Sequence, residues 1–166
     1  MIPLDEARQY VLDRVARLGS ARVPLADAAG LVLAADVVAA EQVPPFANTA
    51  MDGFAVRAAD VASVPVTLEV IGTVAAGSTL DGAVGPGQAA RIMTGAPMPD
   101  GADAVVMVEK TTLDEAAGTV LIDLSVSEGN HVRRAGEDVE PGDLLFAAGT
   151  VLTAGHLGVL ASVGVQ

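Results

Sequence analysis

Residues 43–57 read VPPFANTAMDGFAVR, and this order predicts three pieces of local structure in succession. The two prolines push the residues before them to extended geometry and donate no backbone amide, so the segment begins as a stiff connector and a candidate subdomain boundary. Asp52-Gly53 is a common turn pair, and the apolar run after it predicts a strand at residues 54–57. The stretch therefore leads from a connector through a polar turn into a sheet.

The same alternation of apolar runs and turn signals continues from this strand to residue 146. Turns are indicated where Gly stands beside Asp, Asn or Pro, as in Asp100-Gly101 and Pro141-Gly142. Strands at such short spacing, without intervening helices, are typical of a β-rich, barrel-like subdomain. The predicted strands lie near residues 54–57, 66–75, 89–93, 104–109, 119–124, 131–134 and 144–146.

The composition limits the classes of function. The chain has 166 residues and a formal net charge of −12, which argues against a general nucleic-acid binder. Hydrophobic residues make up 51% of the sequence but aromatic residues only 2%, so the core must be aliphatic and base-stacking platforms are not expected. The sequence contains no cysteine, which excludes a thiolate nucleophile and fits a reducing, cytoplasmic environment.

An amphipathic helix is predicted at the N-terminus, with Gly19 closing it. Apolar residues recur at spacings of three and four, and polar residues fill the opposite face. Over residues 1–22 four basic residues stand against three acidic ones, so this segment is cationic on an anionic body and the helix is either a plain surface helix or a docking element. The apolar positions are Leu4, Ala7, Val11, Val15 and Leu18; the polar positions are Asp5, Arg8, Asp13, Arg14 and Arg17.

The C-terminal stretch from Leu144 to Gln166 contains no charged residue and is long enough to cross a bilayer. Its glycines, its polar residues and its strand–turn–helix pattern favour a buried element of a soluble domain instead. Thr153 is expected to cap a helix that runs to about Ser162. Because the sequence ends where a further strand would begin, we expect a fragment of a longer protein.

Beyond residue 22 basic residues are scarce, and most of them lie beside three polar loops that contain glycine. The loops cover residues 48–53, 91–97 and 133–138. In the second loop a hydroxyl and glycine-exposed amides follow a strand, a geometry able to hold an oxyanion. Ordinary turns, a strand exit and a solvated charge run remain open as simpler interpretations. The basic residues are Arg57, Arg91, Lys110, Arg133 and Arg134.

A site for a polyanion needs cations for charge and carboxylates for a hard metal ion. Mg²⁺ takes one or two protein oxygens and keeps several waters. Asp52, Glu137 and Asp138 are candidates for those oxygens, with Arg91 and Arg134 opposite them. Spacing alone leaves open whether the three loops converge.

Other catalytic motifs fail on inspection. Residues 85–90 match a dinucleotide-binding pattern formally, but a strand rather than a helix follows them. His131 and His156 lie on different elements without a partner histidine, so each is interpreted as structural and catalytic zinc is not expected.

Three motifs together resemble the N-terminal region of the molybdopterin molybdotransferase family, which includes MoeA and the gephyrin E domain. The most specific is residues 43–57; the others are residues 91–97, which read RIMTGAP, and residues 132–138, which read VRRAGED. Their order and spacing resemble that region over nearly the whole chain, from the predicted helix at Leu4 to the helix ending near Ser162.

The resemblance implies an enzyme that inserts molybdate into adenylylated molybdopterin with Mg²⁺, releasing AMP and yielding molybdenum cofactor. It also implies a homodimer whose cleft is shared between subunits, and the molybdopterin adenylyltransferase as a further partner. By motif, Asp52 and Asp138 are implied as functional carboxylates and metal ligands, and Thr94 as a polar contributor to the cleft. Arg91 and Arg134 are added on charge alone as anion-binding residues.

The implied fold is mainly β, with coiled or barrel-like sheets and a few short helices. The resemblance divides the chain into an N-terminal helix (1–19), an outer elongated subdomain (20–38 and 143–166) and an inserted β-rich subdomain (39–142). The family's pterin-binding and C-terminal domains are expected beyond Gln166, so this chain alone is expected to be inactive. A non-catalytic scaffold, or a carrier module modified at Lys110, is the alternative.

Overall fold

The computed structural model describes residues 2–16 and 18–166 and shows a mainly β fold, as predicted. Two α-helices lie near the ends of the sequence, and short 3-10 turns join several strands. The helices are α1 (Leu4–Leu12) and α2 (Ala154–Ser162); the strands are β1 (Val37–Val38), β2 (Asn48–Thr49), β3 (Gly53–Val56), β4 (Val66–Val74), β5 (Gln88–Ile92), β6 (Ala104–Met107), β7 (Thr111–Asp114), β8 (Thr119–Ile122), β9 (Val132–Arg133) and β10 (Leu144–Phe146).

The chain forms two compact units. The split unit combines Met1–Val37 with Phe146–Gln166, and the β unit is the continuous segment Val38–Leu145. The β unit contains all five residues that the resemblance and the charge argument select as the candidate site, so its sheet is the scaffold that positions them: Asp52, Arg91, Thr94, Arg134 and Asp138.

The β unit is built on a six-stranded sheet in the order β6-β3-β5-β4-β8-β7. Every neighbouring pair is antiparallel except β4 and β5, which run parallel. A parallel pair cannot be joined by a tight hairpin, and residues 75–87 form the required crossover. In this strand order β3 lies inside the sheet, with β5 on one side and β6 on the other. Asp52, which directly precedes β3, therefore has a neighbouring strand on each side.

Both faces of this sheet are buried. Phe54 and Val56 pack into one apolar cluster, and Ala55 between them packs into a second, because side chains alternate along a strand. This explains why β3 is apolar at every position. The first cluster contains Phe54, Val56, Val61, Leu68, Ala89, Ala104, Val106, Val120 and Ile122; the second contains Ala55, Val74, Val84, Ala90, Ile92, Ala96 and Val105.

Gly53 begins β3 at a point of close backbone approach. A Cβ atom built on Gly53 would lie 2.9 Å from the carbonyl carbon of Val106 and would overlap the carbonyl oxygen. Glycine is the residue that permits this contact between β3 and β6. Gly53 is therefore required by the close packing of β3 on β6, in addition to its place in the turn with Asp52.

The split unit has a small core in which Leu152 and Leu160 are buried. Helix α2 begins after Thr153, as predicted, and the imidazole Nδ1 of His156 accepts the backbone N–H of Thr153 at 2.9 Å. The ring of His156 also packs edge-to-face on Phe146, with ring centroids 4.6 Å apart. No helix among the described residues combines the length and hydropathy needed to cross a bilayer.

Helix α1 is shorter than predicted. It ends at Leu12 rather than near Gly19, and none of its residues is buried. The next backbone bonds tighten to three-residue spacing, from Arg14 N–H to the Val11 carbonyl and from Val15 N–H to the Leu12 carbonyl. Periodicity alone does not sustain a short helix that lacks packed neighbours. Arg17, expected on its polar face, lies outside the described residues.

Two further segments differ from the prediction. The strand expected at 104–109 stops at Met107 and gives way to another 3-10 turn. The sheet then continues into β7, which the polar sequence of Thr111–Asp114 did not indicate; its pairing with β8 supplies the structure.

Candidate functional site

Asp52 directly precedes β3 and is hydrogen-bonded to Thr94, which lies in the loop after β5. One carboxylate oxygen of Asp52, Oδ1, accepts the backbone N–H of Thr94 at 2.7 Å and its hydroxyl at 2.6 Å. The carbonyl oxygen of Asp52 accepts the N–H of Val108 at 3.1 Å. The register that pairs Gly53 with Ile92 brings these two loops side by side.

The Asp52 carboxyl is exposed and its environment favours the ionised form. Its pKa is lowered, first by the hydroxyl hydrogen bond from Thr94, then by the Thr94 backbone hydrogen bond, and further by the positive charge of Arg91; desolvation opposes these effects. Arg91 is placed for this role because it pairs with Phe54, two residues along β3 from Asp52. Asp52 is therefore a stable anion with a cation nearby.

The turn before Asp52 is closed by a buried hydroxyl. Thr49 is 1% exposed, and its Oγ1 donates to the carbonyl of Met51 at 2.7 Å and accepts the N–H of Met51 at 3.1 Å. The backbone of Thr49 bonds the loop after β5: its N–H donates to the Ala96 carbonyl at 3.1 Å, and its carbonyl accepts the Gly95 N–H at 2.9 Å. The Asp52 turn and the Thr94 loop are thus joined through one residue.

These contacts occupy the backbone N–H groups with which the loop at residues 91–97 was expected to hold an oxyanion. The N–H groups of Thr94, Gly95 and Ala96 already donate within the chain, to Asp52, Thr49 and Met93 respectively. The Thr94 hydroxyl donates to Asp52 as well. In this conformation, the loop holds a carboxylate of the protein itself.

The third loop contains an ion pair between Arg133 and Asp138. The guanidinium of Arg133, rather than that of Arg134, donates to Asp138 Oδ2 at 2.6 Å and lies 3.9 Å from Glu137. This hydrogen bond to Asp138 is the main cause of the raised pKa of Arg133, with the charges of Asp138 and Glu137 adding to it. Arg134 is exposed, and its backbone N–H donates to Glu137 Oε2 at 2.9 Å.

The short strand β2 connects all three loops. Asn48 pairs with Arg133 of β9 and forms an isolated bridge with Pro97. Beyond β2, the N–H of Ala50 donates to the His131 carbonyl at 2.9 Å. The structure thereby brings the three segments against one ladder, but in the described part of the chain no hydrogen bond or ion pair joins Asp138 to Asp52 or Thr94.

The carboxylates of Asp52 and Asp138 are compatible with a metal ion whose remaining ligands are water and phosphate oxygens. Among residues 2–16 and 18–166, no group of three or more His, Asp or Glu side chains could hold a metal by itself. At Asp52 the contacts to Thr94 use Oδ1, whereas at Asp138 the Arg133 contact uses Oδ2. One carboxylate with water and phosphate oxygens is an ordinary Mg²⁺ environment, and Asp52 fits it.

A groove of the structure lies away from these residues. It has a volume of about 1250 Å³, belongs to the split unit and is lined by apolar residues such as Leu25, Leu31 and Leu152. None of the five candidate residues lines it. An apolar groove does not match the charged ligand that the candidate residues predict, so the site is assigned from side-chain chemistry.

Known proteins of similar sequence point to one family. Residues 2–164 match the family described as the MoeA N-terminal region (domain I and II). The molybdopterin molybdenumtransferase of Bacillus subtilis (strain 168) is 40% identical over 98% of this chain and 39% of its own length. The molybdopterin molybdenumtransferase 2 of Mycobacterium tuberculosis (strain ATCC 25618 / H37Rv) is 40% identical over 99% of this chain and 41% of its own length.

A solved structure agrees with these sequences. The crystal structure of the molybdopterin biosynthesis MoeA protein from Pyrococcus horikoshii OT3 superposes with a TM-score of 0.92 at 33% identity, covering 100% of this chain and 45% of that one. The chain thus spans about two fifths of the curated relatives that it matches. The three motifs, the fold and these similarities agree, and the chain belongs to the MoeA N-terminal region family of molybdenum cofactor biosynthesis.

Proposed function

We propose that this chain is the part of a molybdopterin molybdenumtransferase that supplies carboxylates and polar loops to the site of molybdate insertion. The substrates proposed for the whole protein are adenylylated molybdopterin and molybdate, and the products are AMP and molybdenum cofactor. The observation that carries the proposal is the ionised, exposed Asp52 held by Thr94 next to the charge of Arg91.

Electrostatics explains why such a carboxylate is useful in a reaction between anions. Molybdate and the phosphoanhydride of the adenylylated pterin are both negatively charged, so the two must be brought together against repulsion. When bound, Mg²⁺ offsets this charge and polarises the anhydride. We assign Asp52 as its principal protein ligand and Asp138 as a second carboxylate whose other contact is Arg133.

The residues of this chain act mainly by orientation and charge. Thr94 hydrogen-bonds one carboxylate oxygen of Asp52, Oδ1, and this contact also sets the orientation of the other oxygen. Arg91 contributes positive charge beside Asp52, and the exposed Arg134 is proposed to meet the incoming anion. Groups held in place before the reaction need no reorganisation when the anions meet.

The complete assembly is also part of the proposal. We propose a homodimer whose cleft combines this β unit with a pterin-binding domain of the other subunit, so that this chain alone does not turn over. A cytoplasmic location and an encounter with the molybdopterin adenylyltransferase complete the proposal. The cysteine-free composition supports the location, and the name of the Bacillus subtilis relative, molybdopterin molybdenumtransferase, supports a molybdopterin substrate and the transfer of molybdenum.

The test is Mg²⁺- and molybdate-dependent AMP release by the full-length protein carrying Asp52→Asn. We expect activity to fall by roughly 100-fold or more, because a charged group that acts on the reacting centre is removed. Asp81→Asn is the matched control, since Asp81 is exposed in the β4–β5 crossover. Unchanged AMP release by Asp52→Asn would remove Asp52 from the mechanism, and a covalent adduct on Lys110 in the intact mass would favour the carrier alternative.

A further inference from the structure

The polar residue most deeply buried in the β unit is not one of the candidate site residues. Thr49 is 1% exposed, whereas Asp52, Thr94 and Asp138 are all exposed. A hydroxyl is costly to bury unless its hydrogen bonds are satisfied, and the Thr49 hydroxyl is satisfied twice by the backbone of Met51. The position therefore needs a structural or functional reason for a polar side chain.

Thr49 acts on both partners of the Asp52–Thr94 contact. Its hydroxyl closes the turn over residues 49–51, directly before Asp52. Its backbone N–H donates to the carbonyl of Ala96, and its carbonyl accepts the N–H of Gly95; both residues lie directly after Thr94. On its other side, Thr49 pairs with Val132 of β9, and this pairing holds β2 in register.

We infer that Thr49 is a positioning residue, which sets the Asp52 carboxylate against Thr94 by fixing the two loops that carry them. This inference rests on the proposed function, because it gives Thr49 a role through that pair. Thr49 itself is too deeply buried to contact a substrate. The reason for a hydroxyl here is that a hydrocarbon side chain would fill the space but would leave the turn at Met51 open.

The test compares Thr49→Val, which keeps the shape and removes the hydroxyl, with Thr49→Ser, which keeps the hydroxyl and removes a methyl group. In the full-length protein we expect Thr49→Val to lower kcat roughly 10- to 100-fold with little change in KM, because a small misplacement of a reacting group has an effect of that order. Thr49→Ser is expected to keep most of the wild-type kcat.

A second readout does not depend on activity. In ¹H–¹⁵N NMR spectra of the 166-residue chain, the Thr94 amide resonance should move in Thr49→Val and stay near its wild-type position in Thr49→Ser. Equal loss of kcat in the two variants, or an unmoved Thr94 amide in Thr49→Val, would overturn the inference. A fully active Asp52→Asn variant would overturn the proposed role of Asp52. The position of the Thr94 amide resonance would still show whether the Thr49 hydroxyl positions the two loops, so the two failures can be told apart.

The unaltered protein offers a test that does not require a variant to fold. The amides of Met51 and Gly95, which donate to Thr49, should exchange with solvent deuterium much more slowly than exposed turn amides. Exchange of both at the rate of an unstructured peptide would show that Thr49 does not hold these loops, and would overturn the inference.

Discussion

Asp52 and Thr94, 42 positions apart in the sequence, form a two-point contact in which a single carboxylate oxygen receives both the backbone N–H and the hydroxyl of the threonine. The arrangement resembles the way a short polar side chain caps a backbone amide, but it joins two loops of a sheet. It keeps Asp52 ionised and fixes its orientation without burying it.

Thr94→Val should raise the pKa of Asp52 toward its ordinary value, because the Thr94 hydroxyl is the largest cause of the lowering. The measurement is a ¹³C NMR titration of the Asp52 carboxyl in metal-free protein. Thr94→Ser keeps the hydroxyl and serves as the control, so a serine variant with the same raised pKa would contradict the assigned cause.

The same contact predicts how stability depends on pH. Since the folded-state pKa of Asp52 lies below its unfolded-state value, the stabilising contribution is complete above the unfolded pKa and is lost as the pH falls through the folded pKa. The stability difference between wild type and Thr94→Val should therefore be larger at neutral pH than in acid. Denaturant unfolding at several pH values measures it, and a difference that grows on acidification would be the contrary result.

Gly53→Ala should destabilise the β unit by about 2 kcal/mol or more, because the added methyl group would overlap the Val106 carbonyl and force β3 and β6 apart. Gly158→Ala is the matched control: nothing lies within 4 Å of its Cβ position, and in α2 alanine should stabilise by about 0.4–1 kcal/mol. Urea denaturation of both variants compares them. A Gly53→Ala protein as stable as wild type would contradict the close approach.

The sequence predicts the mainly β class, and the reason is visible in the turns. Turns that contain glycine precede several strands, such as Asp52-Gly53 before β3 and Pro141-Gly142 before β10, and most strands of the six-stranded sheet were predicted to within a few residues. Strand β7 was missed because polar edge strands carry no apolar pattern. The predicted N-terminal helix was too long, because periodicity reports a possible apolar face and not whether anything packs on it.

The candidate site was predictable as a set of loops but not as a set of contacts. The choice of Arg133 over Arg134 as the partner of Asp138 depends on how β9 pairs with β2, and a register shift of one residue would reverse it. Thr49 was missed because its role depends on its burial. A threonine two residues before a turn amide is a local signal for the hydroxyl-closed turn, but not for the bonds to Gly95 and Ala96.

Asp138→Asn should reduce AMP release by the full-length protein about tenfold or more while changing its stability only slightly. The stability effect is small because the Arg133–Asp138 pair is exposed, and exposed ion pairs contribute little. Glu137→Gln is the control, since Glu137 lies on the same loop at 3.9 Å from Arg133. If both variants lose activity equally, the effect belongs to the charge of the loop rather than to Asp138.

His156→Ala should destabilise the split unit by about 1–2 kcal/mol, because the ring performs two functions at the start of α2. Its Nδ1 accepts the N–H of Thr153, and its ring packs edge-to-face with that of Phe146. His156→Gln separates the two functions, since glutamine at this position of a capping box can accept the same N–H but cannot stack. We expect the glutamine variant to recover about half of the loss in thermal denaturation; a variant as unstable as alanine would assign the whole effect to the contact with Phe146.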